Sequence, residues 1–221
     1  MKRLVFILFL SVSVLGLNAQ ETVKSFEKQG VDKYKAQDFA GSLEAFAKAL
    51  ELNTAAGTED GALYYKACMA AYKAQNYEKL AIYADKTIEL NYIDKGSKTY
   101  LYSAIAYKEL GNAQKEEAVL KAGLAKYADD ADLKPKLATR VLKNGNEHYD
   151  KAIEFQKLAN ENVKVQAKFD EFVAKAKEEF LLAKPFFEES YKLNPAFEAT
   201  QTLLKAVYNN LQTPDAERLV K

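Results

Sequence analysis

Between Phe26 and Asn53 the chain reads FEKQGVDKYKAQDFAGSLEAFAKALELN: two amphipathic helical segments joined by a short polar turn, QD. A similar pattern returns further along. A unit of about thirty-four residues that repeats in this way is an α-helical solenoid, because one helix pair cannot bury its apolar face alone and must stack on its neighbours. This constrains the chain more than any other feature. It excludes a sheet-based fold and favours an extended surface over a catalytic pocket.

The repeats agree column by column. The aromatic residue opening the first helix at Phe26 is matched by Tyr64 and Tyr100, and more weakly by Val141. Four residues later comes a small residue, Gly30, Cys68, Ala104 or Gly145. Near the end of the second helix stand Ala49, Thr87, Gly123 and Ser190, each followed by a large one (Leu50, Ile88, Leu124, Tyr191). Helices approach closely only where side chains are short, so small residues in register with large ones are what interlocking helices require. The ELN that closes the first repeat returns as ELNY from Glu89 and as KLNP before Ala196.

On these segments the chain resembles a tetratricopeptide-repeat protein. DFAGSLEAFAKALELN, NYEKLAIYADKTIELN and KPFFEESYKLNP are similar to the second helix of that motif, and YKELGNAQKEEAVLKAGLAKY to a degenerate third copy, with Glu116 where the family usually has alanine. The resemblance runs from about Ser25 to the C-terminus, in repeats over about 23–55, 61–92, 97–128 and 138–195 and a partial capping copy over 197–221. It implies an all-α, right-handed superhelical solenoid whose concave groove is lined by the first helices. It also implies binding of proteins or peptides without a cofactor.

The fourth repeat departs from the pattern. About twenty-six residues are added, shared between its two helices at their turn. At ~1.5 Å per residue, roughly thirteen residues lengthen each helix by about 20 Å, giving an elongated antiparallel hairpin. The first helix is predicted from near Ala138, the second from near Gln166 to Leu193, with a kink at Pro185. Apolar residues at three-four spacing form a predicted seam: Ile153, Phe155, Leu158 and Ala159 going out, Val165, Phe169, Phe172, Val173, Ala176 and Phe180 returning. The segment 150–180 covers an exposed face and caps the array, or docks a partner or a second copy of the chain.

The N-terminus reads MKRLVFILFLSVSVLGLNAQ: a basic start, an apolar run from Leu4 to Leu17, and Leu17-Asn18-Ala19 as a cleavage site before Gln20. That is the architecture of a secretory signal peptide, too short an apolar run to span a bilayer comfortably. It predicts an exported, most plausibly periplasmic bacterial protein, with residues 1–19 removed and the remainder, 20–221, one helical domain without a transmembrane segment. An uncleaved N-terminal tether on the inner membrane is the alternative. Removing Lys2 and Arg3 from 32 basic residues, against 31 acidic ones, turns a formal +1 into −1. Such a near-neutral, interspersed surface carries no footprint for nucleic acid. Cys68 is the only cysteine, so no intramolecular disulfide forms, and its column of small residues makes it a buried packing residue.

Candidate partner-binding residues lie on the first helices. The twelfth position of each repeat holds Tyr34, Tyr72, Lys108, Tyr149 and Tyr208, and adjacent groove positions add Tyr65, Met69, Leu101 and Ile105. Tyrosines present apolar area with a polar tip at modest entropic cost, which suits peptide capture. Glu27, Lys66, Lys73 and Lys98 give the groove mixed charge and do not reproduce the basic clamp found in chaperone-binding members of the resembled family. Catalysis has little to draw on. The single histidine, His148, shares no helical face with Glu147 or Asp150, and no motif joins it to Ser103 or Ser190. A metal site needs three or four converging ligands, and nine scattered glycines form no phosphate loop. The reading is therefore a non-enzymatic interaction protein, without metal or cofactor. A carbohydrate-binding or cell-wall module is a further alternative, although no tryptophan is available as a sugar platform.

Overall fold

The computed structural model describes residues 20, 22–92 and 96–212, and all regular elements among them are α-helices. In chain order these are α1 (22–35), α2 (Phe39–Ala55), α3 (Gly61–Lys73), α4 (Tyr77–Glu89), α5 (Lys98–Glu109), α6 (Ala113–Lys126), α7 (Leu133–Glu161), α8 (Gln166–Leu193) and α9 (Glu198–Leu211). The proposed signal peptide, 1–19, and the end of the partial last repeat lie outside the described residues. The chain divides into two compact units, residues 1–123 and 124–221, with the boundary inside α6.

Three hairpin turns of the first unit are built alike. At Gln37, Gln75 and Gly111 the backbone turns left-handed, with φ of 64°, 55° and 70°. The next residue caps the following helix: Asp38 accepts from Gly41 N at 2.9 Å, Asn76 from Lys79 N at 3.0 Å and Asn112 from Lys115 N at 3.1 Å. The amides of these two residues in each turn reach back to close the preceding helix, as in Asp38 N to Lys33 O at 2.9 Å and Asn112 N to Tyr107 O at 2.8 Å. A left-handed closing residue followed by an Asx cap therefore stops one helix and starts the next within three residues.

The repeated ELN has different roles in its copies. In the first repeat it lies inside α2, which runs on to Ala55 and closes over Gly57 at φ 72°. In the second, Asn91 is itself the left-handed closing residue, at φ 50°. The glycine four residues after Asn53 gives α2 a cheaper place to end, and α4 has no such glycine.

Size complementarity holds each hairpin together. A Cβ on Gly30 would lie 2.6 Å from the Phe46 ring, and one on Gly145 would lie 2.5 Å from Phe187. The positions matching these pairs hold Cys68 with Ala84 and Ala104 with Leu120, and each of these four residues is 0–2% exposed. The partners are sixteen residues apart in the first three repeats and forty-two apart in the fourth, a difference equal to the inferred insertion. Where the first helix has no side chain, the second supplies a phenylalanine, and the crossing is buried either way.

The long hairpin corrects two expectations. α7 begins at Leu133 instead of near Ala138, because the Asp130 carboxylate accepts from Leu133 N at 2.8 Å and caps the helix early. Pro135 is tolerated in that first turn, where its missing N–H has no helical partner to lose. α8 spans Gln166–Leu193 as expected and runs through Pro185 as one element. The second correction concerns the seam. Ile153, Val165 and Val173 are 42%, 49% and 44% exposed. Ala159, Ala176 and Phe180 are buried and Phe155 and Phe172 stack at 6.4 Å, as the spacing predicts, and Ala152, one step from Ile153, is buried as well. Two paired helices bury only one narrow stripe each, and alanines on that stripe let them approach closely, so residues one step around the helix stay in solvent. At the base, Phe180, Ala183 and Phe187 join Leu142, Leu204 and Val207 in the core of the second unit.

Candidate interaction site

The apolar face of α3 carries Tyr65, Met69 and Tyr72 at i, i+4 and i+7, and α5 repeats the spacing with Leu101, Ile105 and Lys108. Their packing gathers a tyrosine cluster in the first unit. Tyr72 lies 5.1 Å from Tyr102, Tyr65 lies 6.2 Å from Tyr102 and 5.9 Å from Tyr92, and Tyr34 packs edge-on against Phe39 at 5.3 Å. Tyr65 is buried, while Tyr34, Tyr72, Tyr102, Met69, Leu101 and Ile105 are half-buried. Tyr65 is therefore the floor of the cluster, and Tyr72 and Tyr102 are its accessible part.

Burial, the neighbouring Tyr102 ring and a hydrogen bond to that residue push the Tyr65 phenol well above its ordinary range. Burial raises Tyr102 as well. Both phenols are neutral and act as hydrogen-bonding tips on an apolar surface. Glu27 of α1 pairs with Lys66 of α3, which cancels two of the four groove charges, while Lys73 and Lys98 stay exposed.

Tyr149 and Tyr208 belong to the second unit and serve its core. Tyr149 meets Phe180 and Phe187 edge-on at 5.7 and 6.1 Å. Tyr208 is 5% exposed and donates to Glu188 at 2.7 Å. The line of tyrosines in the sequence thus has two environments. Sequence columns missed Tyr92 and Tyr102. Tyr102 aligns with Lys66, so its column reads as charged, and Tyr92 follows a helix end. The small residue Gly61 is a sign of Tyr92, because a Cβ there would lie 2.9 Å from the Tyr92 Cβ.

A second polar cluster ties three helices of the first unit together. Asp85 of α4 accepts from Ser103 at 2.7 Å and from the Tyr107 hydroxyl, both of α5, and Lys115 of α6 sits 4.9 Å over the Tyr107 ring. Burial and the Asp85 hydrogen bond push the Tyr107 phenol up to about 12. Burial, and after it the Asp85 charge, raises the Cys68 thiol far above its usual range, so the sulfur stays a protonated packing group.

His148 finds its partner on the other arm of the hairpin. Its Nδ1 lies 2.7 Å from Glu179 Oε2, and its ring stacks on Phe186 at 5.9 Å. Neither serine considered with it is available: Ser103 donates to Asp85, and Ser190 donates to Ala138 O at 2.9 Å inside the core. Among the described residues no group of three or more His, Cys, Asp or Glu converges to hold a metal ion, and no helix is long and apolar enough to cross a membrane.

This chain of paired α-helices resembles several solved structures. It superposes on a TPR-repeat protein from Bacteroides fragilis with a TM-score of 0.55, at 19% identity over 85% of this chain and 98% of that one. This is the tetratricopeptide-repeat fold. A second neighbour by structure is MamA, with a TM-score of 0.54 at 15% identity, covering 91% of this chain and 87% of that one. No protein-family model and no curated protein matches the sequence.

Proposed function

We propose that this tetratricopeptide-repeat protein is a non-enzymatic adaptor or assembly factor that holds a protein or peptide outside the cytoplasm, on the tyrosine face of α3 and α5. The observation that carries this reading is the Tyr72–Tyr102 pair, half-buried and in contact at 5.1 Å over a buried Tyr65. Rigid aromatic area with neutral hydroxyl tips is a good anchor for a partner side chain. The fold supports the reading, because helical repeats build extended surfaces rather than enclosed reaction chambers. Export rests on the N-terminal sequence alone.

The test is crosslinking in the native compartment, followed by mass spectrometry, on the intact protein and on Y72A/Y102A. The reading requires that a captured partner be lost from the double variant while its helical content is kept. Capture unchanged by the substitutions overturns it. Purified protein beginning at Gln20 supports export with cleavage, whereas an intact Met1 supports the tethered alternative.

A further inference from the structure

The second compact unit contains a cleft of about 490 Å³ between α7, α8 and the end of α9. That volume lies within the ~300–1,000 Å³ of ordinary small-molecule sites. Its floor is apolar: Phe169, Val173 and Phe180 run about 16 Å along α8, with Leu211 of α9 beside them. Phe180 is 1% exposed and fixed in the core, whereas Val173 is 44% exposed and open to an incoming group. Over the floor stands a ridge of four side-chain amides, Gln156 and Asn160 of α7 with Asn210 and Gln212 at the end of α9. Among the described residues Lys177 is the one charged group of the lining. No carboxylate joins it, although Asp and Glu make up 31 of the 221 residues.

The ridge is held in place before anything binds and still keeps hydrogen-bonding capacity. Gln156 Nε2 donates to Asn210 Oδ1 at 2.6 Å across α7 and α9, and Asn210 Nδ2 donates to Ala206 O at 2.8 Å. Each bond uses one N–H of a group that has two, so both amides retain a donor, and the Gln156 carbonyl remains an acceptor. Asn160 and Gln212 are exposed, and their side chains bond to no other described residue.

A hydroxyl both donates and accepts, and a carboxamide presents its N–H and C=O side by side. One amide can therefore serve two neighbouring hydroxyls of a sugar ring, whereas a carboxylate only accepts and an ammonium only donates. A sugar ring is also amphipathic, with hydroxyls around its edge and C–H groups across its face, which matches amides set over Val173 and Phe169. An ionic ligand gains little, because the Lys177 charge shares the cleft with the negative C-terminal pole of α9. A short cleft with converging amides is none of the extended edges or grooves that read peptides.

We propose that this cleft binds a short, uncharged saccharide, whose hydroxyls bond to Asn160, Gln212 and the remaining groups of Gln156 and Asn210 while a ring face lies on Val173. The site shares no residue with the tyrosine face, so either can fail without the other.

The probes are maltose, cellobiose and N,N′-diacetylchitobiose, titrated into the isotope-labelled full chain to about 50 mM, a range that covers millimolar affinities, and followed by NMR. At least one should give saturable shifts of the Asn160 and Gln212 side-chain amides and of the Val173 methyls. N160D/Q212E keeps the side-chain sizes but removes the N–H donors, and should weaken that binding at least tenfold. V173D, which puts a charge on the floor, should do the same. All three positions are exposed, so circular dichroism should stay that of the parent. No saturable shift with any of the three sugars overturns the proposal, as does N160D/Q212E binding at the parental affinity. Equal shifts with glycerol at matched hydroxyl concentration mean an adventitious additive only and overturn it too. Tighter binding of a capped neutral peptide, N-acetyl-Gly-Leu-Gly-Leu-Gly amide, than of every sugar assigns the cleft to a protein partner and overturns the saccharide reading.

Discussion

The α1–α2 hairpin and the α7–α8 hairpin share one lock and differ in everything beyond it. Both set a glycine of the first helix under a phenylalanine of the second, Gly30 under Phe46 and Gly145 under Phe187, and both bury the phenylalanine to 2% exposure or less. Beyond the lock, the short hairpin ends at once in an Asx-capped turn. The long one continues for several turns on a thin stripe, Ala152, Ala159 and Ala176 with the Phe155–Phe172 stack, and leaves Val163 and Val165 57% and 49% exposed at its tip. The comparison teaches that the crossing point, not hairpin length, carries the repeat. Lengthening a repeat there is cheap, because the added turns of α7 and α8 pair mostly with each other, with Gln156 also bonded to Asn210 of α9.

The largest effect is expected at the locks. F46A and F187A should each lose about 3–5 kcal/mol in urea unfolding, because each empties a filled crossing. If F187A costs much less than F46A, the long stripe shares the task and the two hairpins are not equivalent. G30A and G145A should each cost about 1–3 kcal/mol by overpacking. The pair G30A/F46L copies Ala104 with Leu120 of the third repeat and should recover much of the single loss in a double-mutant cycle. Strict additivity would show that the complementary sizes are coincidence.

Alkali tests the first unit by another route. An unfolded phenol titrates near 10, and the Tyr107 phenol is pushed up to about 12 by burial and its bond to Asp85, with Tyr65 and Tyr102 also raised. A raised acid keeps its proton longer when folded. The associated stability is therefore complete below about pH 10 and lost as pH rises through about 12. Urea midpoints that stay flat across this window would mean that these hydroxyls are not held as the structure shows.

Smaller effects are expected on the arm. H148A removes a partly exposed contact to Glu179 and the stack on Phe186, and should cost about 1 kcal/mol. V163S/V165S at the tip should change stability by less than about 0.5 kcal/mol. The same variant tests self-association, because a concentration-dependent sedimentation coefficient that V163S/V165S abolishes would place a self-contact at the tip. An invariant coefficient in the parent protein leaves the hairpin as a covering element only.

The regular part of the fold was readable wherever one helix decides the outcome. The turns at Gln37, Gln75 and Gly111, the span of α8 and the small-residue columns all follow from periodicity, caps and sterics within a repeat. The misjudged residues share one cause. Ile153 fits the helical period as well as its neighbour Ala152 does, and an error of one residue rotates a helix by about 100°. Ile153, Val165 and Val173 are expected on the seam together with Ala159 and Ala176, and close approach there favours the alanines. The early start of α7 depended on Asp130, whose capping role shows only once Leu133 is seen to be buried.

The candidate sites divide in the same way. Tyr34 and Tyr72 are visible as a column and Tyr65 as an adjacent groove position, but a column records equivalent positions and not contacts. Tyr92 and Tyr102 joined them only when α3, α5 and the segment after α4 packed together. The Glu179 partner of His148 and the cleft bounded by Gln156, Val173 and Leu211 are likewise made of residues from separate helices. By itself the sequence determined the repeat, the helical class and the inserted hairpin, because those depend on spacing along one chain. The tertiary structure decided which tyrosines are open, which apolar residues face solvent and where a ridge of amides forms, because these depend on how far each helix is rotated and how closely it approaches its neighbour.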